Sequence, residues 1–166
     1  ERIGRLVLLN TAAFHLPPAK PLPPSLWLCR NTSLNDFLIR RSGLFGRLVT
    51  RWGCCHPMSE QVRDGYLSPH SHGENRLAHL RFVQDIPLQP QDRSYGLVTE
   101  VQERLVIFRQ TPTLILWGEK DFVFDHHFLA VWEKLLPDAE VHRFADAGHL
   151  VLEDKGEEIL PIIRRF

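Results

Sequence analysis

The chain has 166 residues, 43% of them hydrophobic, which is enough for one domain with a buried core. Its 20 Lys and Arg residues balance its 20 Asp and Glu residues, so nothing in the charge favours a nucleic acid or an anionic membrane as a partner. The longest apolar runs, such as residues 6–9 and 114–117, are far too short to span a bilayer.

The three cysteines do not form a disulfide framework. Cys54 and Cys55 are adjacent, and a bridge between neighbours strains the backbone severely. A zinc site built on them and His56 would lack the C-x2-C spacing typical of such sites. The chain begins with Glu1 rather than Met and opens with no secretory signal. We therefore expect a cytoplasmic protein, or an internal piece of one, without a metal or another cofactor.

The first predicted element is a strand. Residues 5–10, RLVLLN, form a continuous apolar run of strand length, typical of a strand buried on both faces in a parallel sheet. Five prolines between positions 17 and 24 follow, and proline fits neither a central strand nor a helix interior. Two serine–acid pairs have the spacing of helix-capping boxes, namely Ser33 with Asp36 and Ser71 with Glu74. We predict short helices and loops, and no strand, from these prolines to about Pro90.

From about residue 95 onward, predicted helices and strands alternate. The first is an amphipathic helix with Leu97, Val101, Leu105 and Phe108 on one face, followed by a strand over residues 113–117. A helix capped by Asp125 and ending at Pro137 comes next, and then a strand over residues 140–144. The chain closes with a helix that is kinked or restarted at Pro161. With the first strand, this order predicts an α/β fold with parallel strands. Three strands form a poor sheet by themselves, so we expect them to belong to a larger sheet.

Two residues that can do chemistry follow the last two predicted strands. Asp121 follows the strand over residues 113–117, and His149 follows the strand over residues 140–144. In open α/β sheets, catalytic groups collect beyond the carboxyl ends of the strands, and these two ends are neighbours in a right-handed β-α-β unit. Asp121 can then accept a hydrogen bond from one ring nitrogen of His149, which leaves the other nitrogen free as a base. We predict that they are the acid and the base of a nucleophile–His–acid triad.

Other polar residues are weaker candidates. Asp125 is the rival acid, but its position fits a helix N-cap. Glu119 lies too close to its strand, and Asp146 fits a turn. The H-x-H pair of His70 and His72 could bind a metal, but no cysteine or carboxylate cluster supports it.

Aromatic side chains of the helical region are candidates for the lining of an apolar substrate pocket, since ligand pockets favour such residues. They are Trp27, Phe37, Phe45 and Phe82. For any single one of them, ordinary packing within the helical region is an equally good interpretation.

Several stretches resemble the second half of an α/β-hydrolase: RLVLLNTAAF, GYLSPH with NRLAHLRFVQDIPL, LILWGEKDFVF and FADAGHLVLED. The pattern WGxxD followed about thirty residues later by GH is typical of that superfamily, and the order of acid then histidine matches it. The stretch RFVQDIPL favours the branch of the haloalkane dehalogenases and the related β-lactone decarboxylases of olefin biosynthesis. The resemblance covers essentially the whole chain.

The resemblance implies three parts: residues 1–10 as a core strand, residues 11–108 as a helical cap over the active site, and residues 109–166 as the C-terminal part of the hydrolase core. It also implies a nucleophile on a G-x-(Ser/Asp)-x-G turn. This sequence lacks that turn, because no two of its glycines are four positions apart. We therefore expect the nucleophile in an N-terminal half of the core that precedes this chain, and we expect that missing half to be its partner.

Two classes of function follow from the resemblance. The first is a haloalkane dehalogenase-like hydrolase for a small apolar substrate, in which an Asp nucleophile forms an ester that water activated by His149 opens. A β-lactone decarboxylase acting on a lactone with long alkyl arms is an alternative, as is a serine esterase or an epoxide hydrolase. The serine esterase stays open because the nucleophile is not in this chain. The second class is a non-catalytic truncated module whose helical region is an apolar interaction surface. In both cases we expect this chain by itself to be inactive.

Overall fold

The computed structural model describes residues 2–166; Glu1, the first residue of the predicted core segment, lies outside them. The strands are β1 (Leu6–Leu9), β2 (Thr113–Gly118) and β3 (Glu140–Phe144). The α-helices are α1 (Pro24–Asn31), α2 (Leu44–Trp52), α3 (Glu60–Leu67), α4 (Leu77–Gln84), α5 (Tyr95–Arg104), α6 (His126–Leu135) and α7 (Val151–Arg165). Short π-helical or 3-10 segments cover Asp36–Arg41, Ser68–His70 and Leu105–Phe108. Within residues 2–166, no helix combines the length and the apolar composition needed to cross a membrane.

The three strands form one parallel sheet in the order β1-β2-β3. Leu8 in β1 lies opposite Ile115 in β2, and Trp117 in β2 lies opposite Arg143 in β3. All three strands therefore run in the same direction and end at one edge of the sheet. The predicted α/β fold with parallel strands is confirmed, and each strand lies within one residue of its predicted bounds.

Both faces of β2 are buried, because helices cover each of them. Side chains alternate along a strand, so Ile115 and Trp117 pack on one face and Leu114 and Leu116 on the other. The helical residues in these two clusters are Phe128, Leu129 and Trp132 of α6 with the first pair, and Val151 and Ile159 of α7 with the second. Burial on both faces explains the uninterrupted apolar run of β2.

The region between β1 and β2 has a small core of its own. In the part of the chain that the structure describes, this region contains helices and turns and no strand. Ile39, Leu80 and Val83 form a buried cluster there, and Phe45 and Ile86 pack against it. This cluster is separate from the two clusters that cover the sheet.

Helix caps differ in part from those expected. Ser33 lies in a turn after α1 and Ser71 follows a 3-10 turn, so the prediction that they cap helices is wrong. A serine with an acid three residues later also occurs in turns, where its side chain bonds locally. Ser59 caps α3 instead, by accepting a hydrogen bond from a backbone N–H in its first turn. The predicted cap of α6 is confirmed, because the carboxylate of Asp125 accepts a hydrogen bond from the backbone N–H of His127.

The apolar face predicted around α5 is only partly buried. Leu105 and Phe108 pack with the cluster on the α6 side of the sheet, whereas Leu97 and Val101 are exposed. Helical periodicity shows which side chains share a face, but it does not show what covers that face. Nothing in the sequence therefore indicates that Leu97 and Val101 are exposed.

The final helix is interrupted at Lys155, where φ is −135° and ψ is 23°, and the predicted break at Pro161 is wrong. The side chain of Lys155 forms an ion pair at 2.9 Å with Asp146, in the loop before the helix. The preceding carboxylate, Asp154, also bonds to that loop. The interruption therefore coincides with contacts between distant segments, which local propensity does not contain.

We predict that Ile115→Ala lowers the free energy of unfolding by about 2–5 kcal/mol, because Ile115 has no solvent exposure and the substitution leaves a cavity. Ile107→Ala is the matched control: Ile107 is 69% exposed, and we expect a change within about 0.5 kcal/mol. Urea denaturation followed by circular dichroism measures both values. Equal effects of the two substitutions would contradict the central position of β2.

Candidate active site

The two residues predicted as acid and base meet beyond the carboxyl ends of β2 and β3. Asp121 lies in the turn after β2, and His149 lies in the loop between β3 and α7. Nδ1 of His149 is 2.8 Å from Oδ2 of Asp121. The prediction that these side chains are within hydrogen-bonding reach at one sheet edge is confirmed.

Three donors hold the carboxylate of Asp121, whose side chain has no solvent exposure. Oδ1 accepts a hydrogen bond from the backbone N–H of Val123 at 2.7 Å. Oδ2 accepts one from the side-chain amide of Asn10 at 3.0 Å, in addition to the bond from His149. Both oxygens are thus satisfied, as buried polar groups require. The orientation of the carboxylate toward His149 is therefore well defined.

Asn10, directly after β1, joins this carboxylate to the sheet. Its amide oxygen accepts a hydrogen bond from the N–H of Gly118 at 2.7 Å. Its amide nitrogen donates to the carbonyl of Gly118 and to Asp121, both at 3.0 Å. The φ of Asn10 is 29°, in a region where asparagine is more common than most other non-glycine residues. Asn10 is not among the residues predicted from the sequence, although its place at the end of the first strand puts it at the same sheet edge.

The backbone of Gly118 packs directly on the loop that carries His149. A Cβ at Gly118 would lie 2.3 Å from the carbonyl oxygen of Gly148 and 2.7 Å from that of Ala147, so a side chain does not fit there. The backbone N–H of Lys120 also donates to the carbonyl of Ala147, at 2.9 Å. The loops after β2 and β3 are thus fixed against each other beside the hydrogen-bonded pair.

The ring of His149 is partly open to solvent, with 28% of the side chain exposed. It lies beside Phe124, with the two ring centroids 5.6 Å apart. Within residues 2–166, Nε2 has no hydrogen-bond partner. Because Nδ1 donates to Asp121, the lone pair of the neutral ring lies on Nε2, where it can accept a proton. The carboxylate can then stabilise the imidazolium that forms.

The rival carboxylates bond elsewhere. Asp125 pairs with the ammonium of Lys20 at 2.8 Å. Burial acts to raise the pKa of Asp125, but hydrogen bonds from Lys20 and His127 outweigh it and hold the pKa below its usual value. Asp146 forms an ion pair near the surface, and Glu119 is exposed. Over the described residues, none of these three carboxylates bonds to the histidine of the pair.

The four aromatic residues predicted for the substrate pocket do not form one cluster. Trp27, Phe37 and Phe82 are 53%, 60% and 80% exposed. Phe45 packs against the small core of the helical region, as the alternative interpretation expected. The aromatic ring beside the histidine is instead Phe124, which follows β2 and was not predicted for this role. A role for the first four residues in substrate binding stays a prediction.

One group of side chains has metal-ligand atoms close together. Asp125, His126 and His127 offer one ligand atom each, all within 4.8 Å of one another. A cation there would compete with the ammonium of Lys20, which already bonds to Asp125. The H-x-H pair of His70 and His72, which the sequence disfavours as a metal site, is not part of such a group in the described residues. The absence of a resident metal stays a prediction.

A comparison with known families agrees with the geometry of the sheet and the site. Residues 36–156, more than half of the chain, match the family described as alpha/beta hydrolase fold. The chain belongs to this family. In an alpha/beta hydrolase, the strand ends at which Asp121 and His149 meet are the expected place for catalytic groups.

Two curated relatives of this alpha/beta hydrolase chain are similar in sequence. The chain is 50% identical over 167 residues to a cis-3-alkyl-4-alkyloxetan-2-one decarboxylase of Shewanella oneidensis, covering 100% of this chain and 52% of the relative. It is 42% identical over 165 residues to a protein of the same name from Xanthomonas campestris pv. campestris, covering 99% of this chain and 55% of the relative. The chain spans about half the length of these curated relatives.

Solved structures of haloalkane dehalogenases are similar in fold. DatA from Agrobacterium tumefaciens C58 has a TM-score of 0.80 and 15% sequence identity, and the match covers 99% of this chain and 57% of that chain. DbeA from Bradyrhizobium elkani has a TM-score of 0.79 and 18% identity, over 97% of this chain and 57% of that chain. At these identities the similarity concerns the fold alone.

We predict that Asn10→Ala lowers the free energy of unfolding by about 2–5 kcal/mol. The buried polar groups of Gly118 and Asp121 would lose their partner, at a cost of about 1–3 kcal/mol, and alanine at a positive φ costs about 1–2 kcal/mol more. Asn31→Ala, at an exposed asparagine, is the control and should change the value by less than about 0.5 kcal/mol. Urea denaturation compares the two, and an Asn10→Ala protein of unchanged stability would contradict the network.

Proposed function

We propose that this chain supplies the acid and the base of a catalytic triad, with Asp121 as the acid and His149 as the base. The observation that carries the proposal is the 2.8 Å hydrogen bond from Nδ1 of His149 to the buried carboxylate. This bond sets the tautomer and leaves Nε2 free on the partly exposed side of the ring. A nucleophile or a water molecule that reaches Nε2 can transfer a proton to it.

The substrate that we propose is a cis-3,4-dialkyl β-lactone, and the reaction is its decarboxylation. The support is the 50% and 42% identity to two relatives that carry this activity in their names. Similarity of sequence over the whole chain is stronger support than similarity of fold to dehalogenases at 15% and 18% identity. Haloalkane hydrolysis, the first choice from the sequence motifs, is therefore the second candidate.

The nucleophile of the triad is proposed to lie outside these 166 residues, in an N-terminal half of the hydrolase core. The chain spans about half the length of its curated relatives and contains no G-x-(Ser/Asp)-x-G turn. In the described sheet, β1 pairs with β2 alone, so its other edge is available to a strand of that half. With an Asp nucleophile, a haloalkane would lose halide and form an ester with the enzyme, and water activated by His149 would open that ester; decarboxylation of the β-lactone to alkene and carbon dioxide consumes no water.

Residues 11–108 are proposed to be the cap of the enzyme, between core residues 1–10 and 109–166. The separate small core of this region supports the division. Exposed aromatic side chains, among them Trp27, Phe37 and Phe82, are suited to an apolar pocket between the cap and the N-terminal half. The three free cysteines support a reducing, cytoplasmic location.

For the protein completed by its N-terminal half, we predict that His149→Ala abolishes product formation. With an Asp nucleophile and a 1-haloalkane as substrate, this variant should accumulate the covalent ester, because attack proceeds while activation of water fails. Mass spectrometry of the intact protein after addition of the 1-haloalkane measures this increase in mass. His142→Ala is the matched control: His142 bonds to Glu140 within β3, and activity should be retained.

Product analysis separates the candidate reactions. Alkene and carbon dioxide from the β-lactone, without halide from a 1-haloalkane, would support the decarboxylase. Halide release would instead place haloalkane hydrolysis first. Full turnover by His149→Ala would contradict the role of the base, and a folded protein inactive on both substrates would favour the non-catalytic module.

We also predict that the 166-residue chain by itself shows no turnover, because a base without a nucleophile lacks the covalent step. It should also associate with itself, since one edge of β1 is unpaired in the described sheet. Assays with both substrates and size-exclusion chromatography test these outcomes. Activity of the isolated chain would show that the nucleophile lies within these residues.

A further inference from the structure

Asp154, near the start of α7, bonds both to the loop that carries His149 and to the helical region. Its side chain has no solvent exposure. Oδ2 accepts hydrogen bonds from the backbone N–H groups of Gly148 at 2.8 Å and Cys55 at 2.9 Å. Oδ1 accepts one from the backbone N–H of His56 at 2.9 Å, and Nδ1 of the same residue lies 3.2 Å away. One buried carboxylate thus joins two segments that are far apart in the chain.

Three further contacts connect the same parts of the molecule. The backbone N–H of Leu150 donates to the carbonyl of Gly53 at 2.9 Å. A Cβ at Gly148 would lie 2.6 Å from that carbonyl oxygen, so the two backbones are in close contact. The hydroxyl of Tyr66 in α3 donates to Glu153 at 2.8 Å. The residues on both sides of His149 are therefore held by the turn after α2.

The bonds to Asp154 are those of an anion. Burial acts to raise the pKa of Asp154, but the backbone N–H groups of Gly148, Cys55 and His56 outweigh it and hold the pKa below the usual value. Hydrogen bonds to a charged acceptor are stronger than those between neutral groups. Loss of the carboxylate would leave three backbone N–H donors without this acceptor, one of them next to His149.

We propose that Asp154 is a positioning residue for His149. By fixing the N–H of Gly148 against the turn that contains Cys55 and His56, it keeps Nδ1 of His149 aligned with Asp121. Asp154 has no contact with the reacting atoms and acts through the backbone alone. This assignment rests on the proposed function, because Asp154 would act by orienting His149, the proposed base.

The consequence is a coupling between the helical region and the base. A displacement of the turn after α2 also displaces the segment around Gly148, because backbone N–H groups of both segments donate to the carboxylate of Asp154. The helical region therefore contributes to the alignment of His149 as well as to any pocket.

Asp154→Asn in the protein completed by its N-terminal half tests this assignment. The side-chain amide keeps the size of the carboxylate but replaces one acceptor with a donor that faces backbone N–H groups. We expect kcat to fall by about tenfold to a hundredfold, as small misplacements of catalytic groups cause, with KM changed by less than about twofold. In proton NMR spectra, the low-field resonance of the Nδ1 proton of His149 should broaden or disappear.

Asp146→Asn is the matched control. Asp146 lies in the same loop, but 60% of its side chain is exposed and it pairs with Lys155. This variant should keep both the resonance and kcat. His149→Ala identifies the resonance, since the signal must be absent there.

The outcomes separate the two proposals. A wild-type resonance and wild-type kcat in Asp154→Asn would overturn the positioning role, whether or not His149→Ala abolishes activity. If the wild-type protein itself shows no turnover, the proposed function fails, and the resonance still decides the role of Asp154. If Asp154→Asn does not fold, Asp154→Glu is the second variant, which keeps the charge but displaces it by one methylene group. Asp154→Glu should weaken the Nδ1 resonance of His149. An unchanged resonance in this variant would overturn the positioning role of Asp154.

Discussion

The contact between the backbone of Gly118 and the loop at Ala147–Gly148 is the constraint on which the rest of the site depends. A Cβ at Gly118 would lie 2.3 Å from a carbonyl oxygen of that loop, so the ends of β2 and β3 approach as closely as backbones can. This approach sets the separation of the two loops that carry Asp121 and His149. A hydrogen bond of 2.8 Å between their side chains requires that separation. The close packing of these two backbone segments is therefore required for the hydrogen bond between Asp121 and His149.

Two buried carboxylates, Asp121 and Asp154, then orient the side chains and the loop that this backbone packing does not position. Asp121 receives hydrogen bonds from Val123 and Asn10, so its oxygens have one orientation relative to the sheet. Asp154 receives bonds from the loop before α7 and from the turn after α2. Each carboxylate has donors from more than one segment, and a buried charge is tolerated only with such partners. The hydrogen bonds that offset the cost of burying these two carboxylates thus also define the position of the His149 ring.

Much of the core, and the central pair of the site, could be predicted from the sequence. Strands buried on both faces have uninterrupted apolar runs, so β2 was recognisable before the structure was known. Asp121 and His149 follow consecutive strands, and strand order alone places them at one edge. Asn10 had the same positional signal, but an amide has less obvious chemistry than a carboxylate or an imidazole. Asp154 could not be recognised from the sequence, because two of its three backbone donors, Cys55 and His56, lie almost a hundred residues earlier in the chain.

The sequence by itself determined the parallel α/β plan, the bounds of the strands and the pairing of Asp121 with His149, because these depend on local periodicity and on the order of elements. Only the tertiary structure decided the caps in the helical region, the interruption at Lys155 and the exposure of aromatic residues such as Phe82. These features depend on contacts between segments that are distant in the chain. Local patterns of residues contain no information about such contacts until the chain has folded.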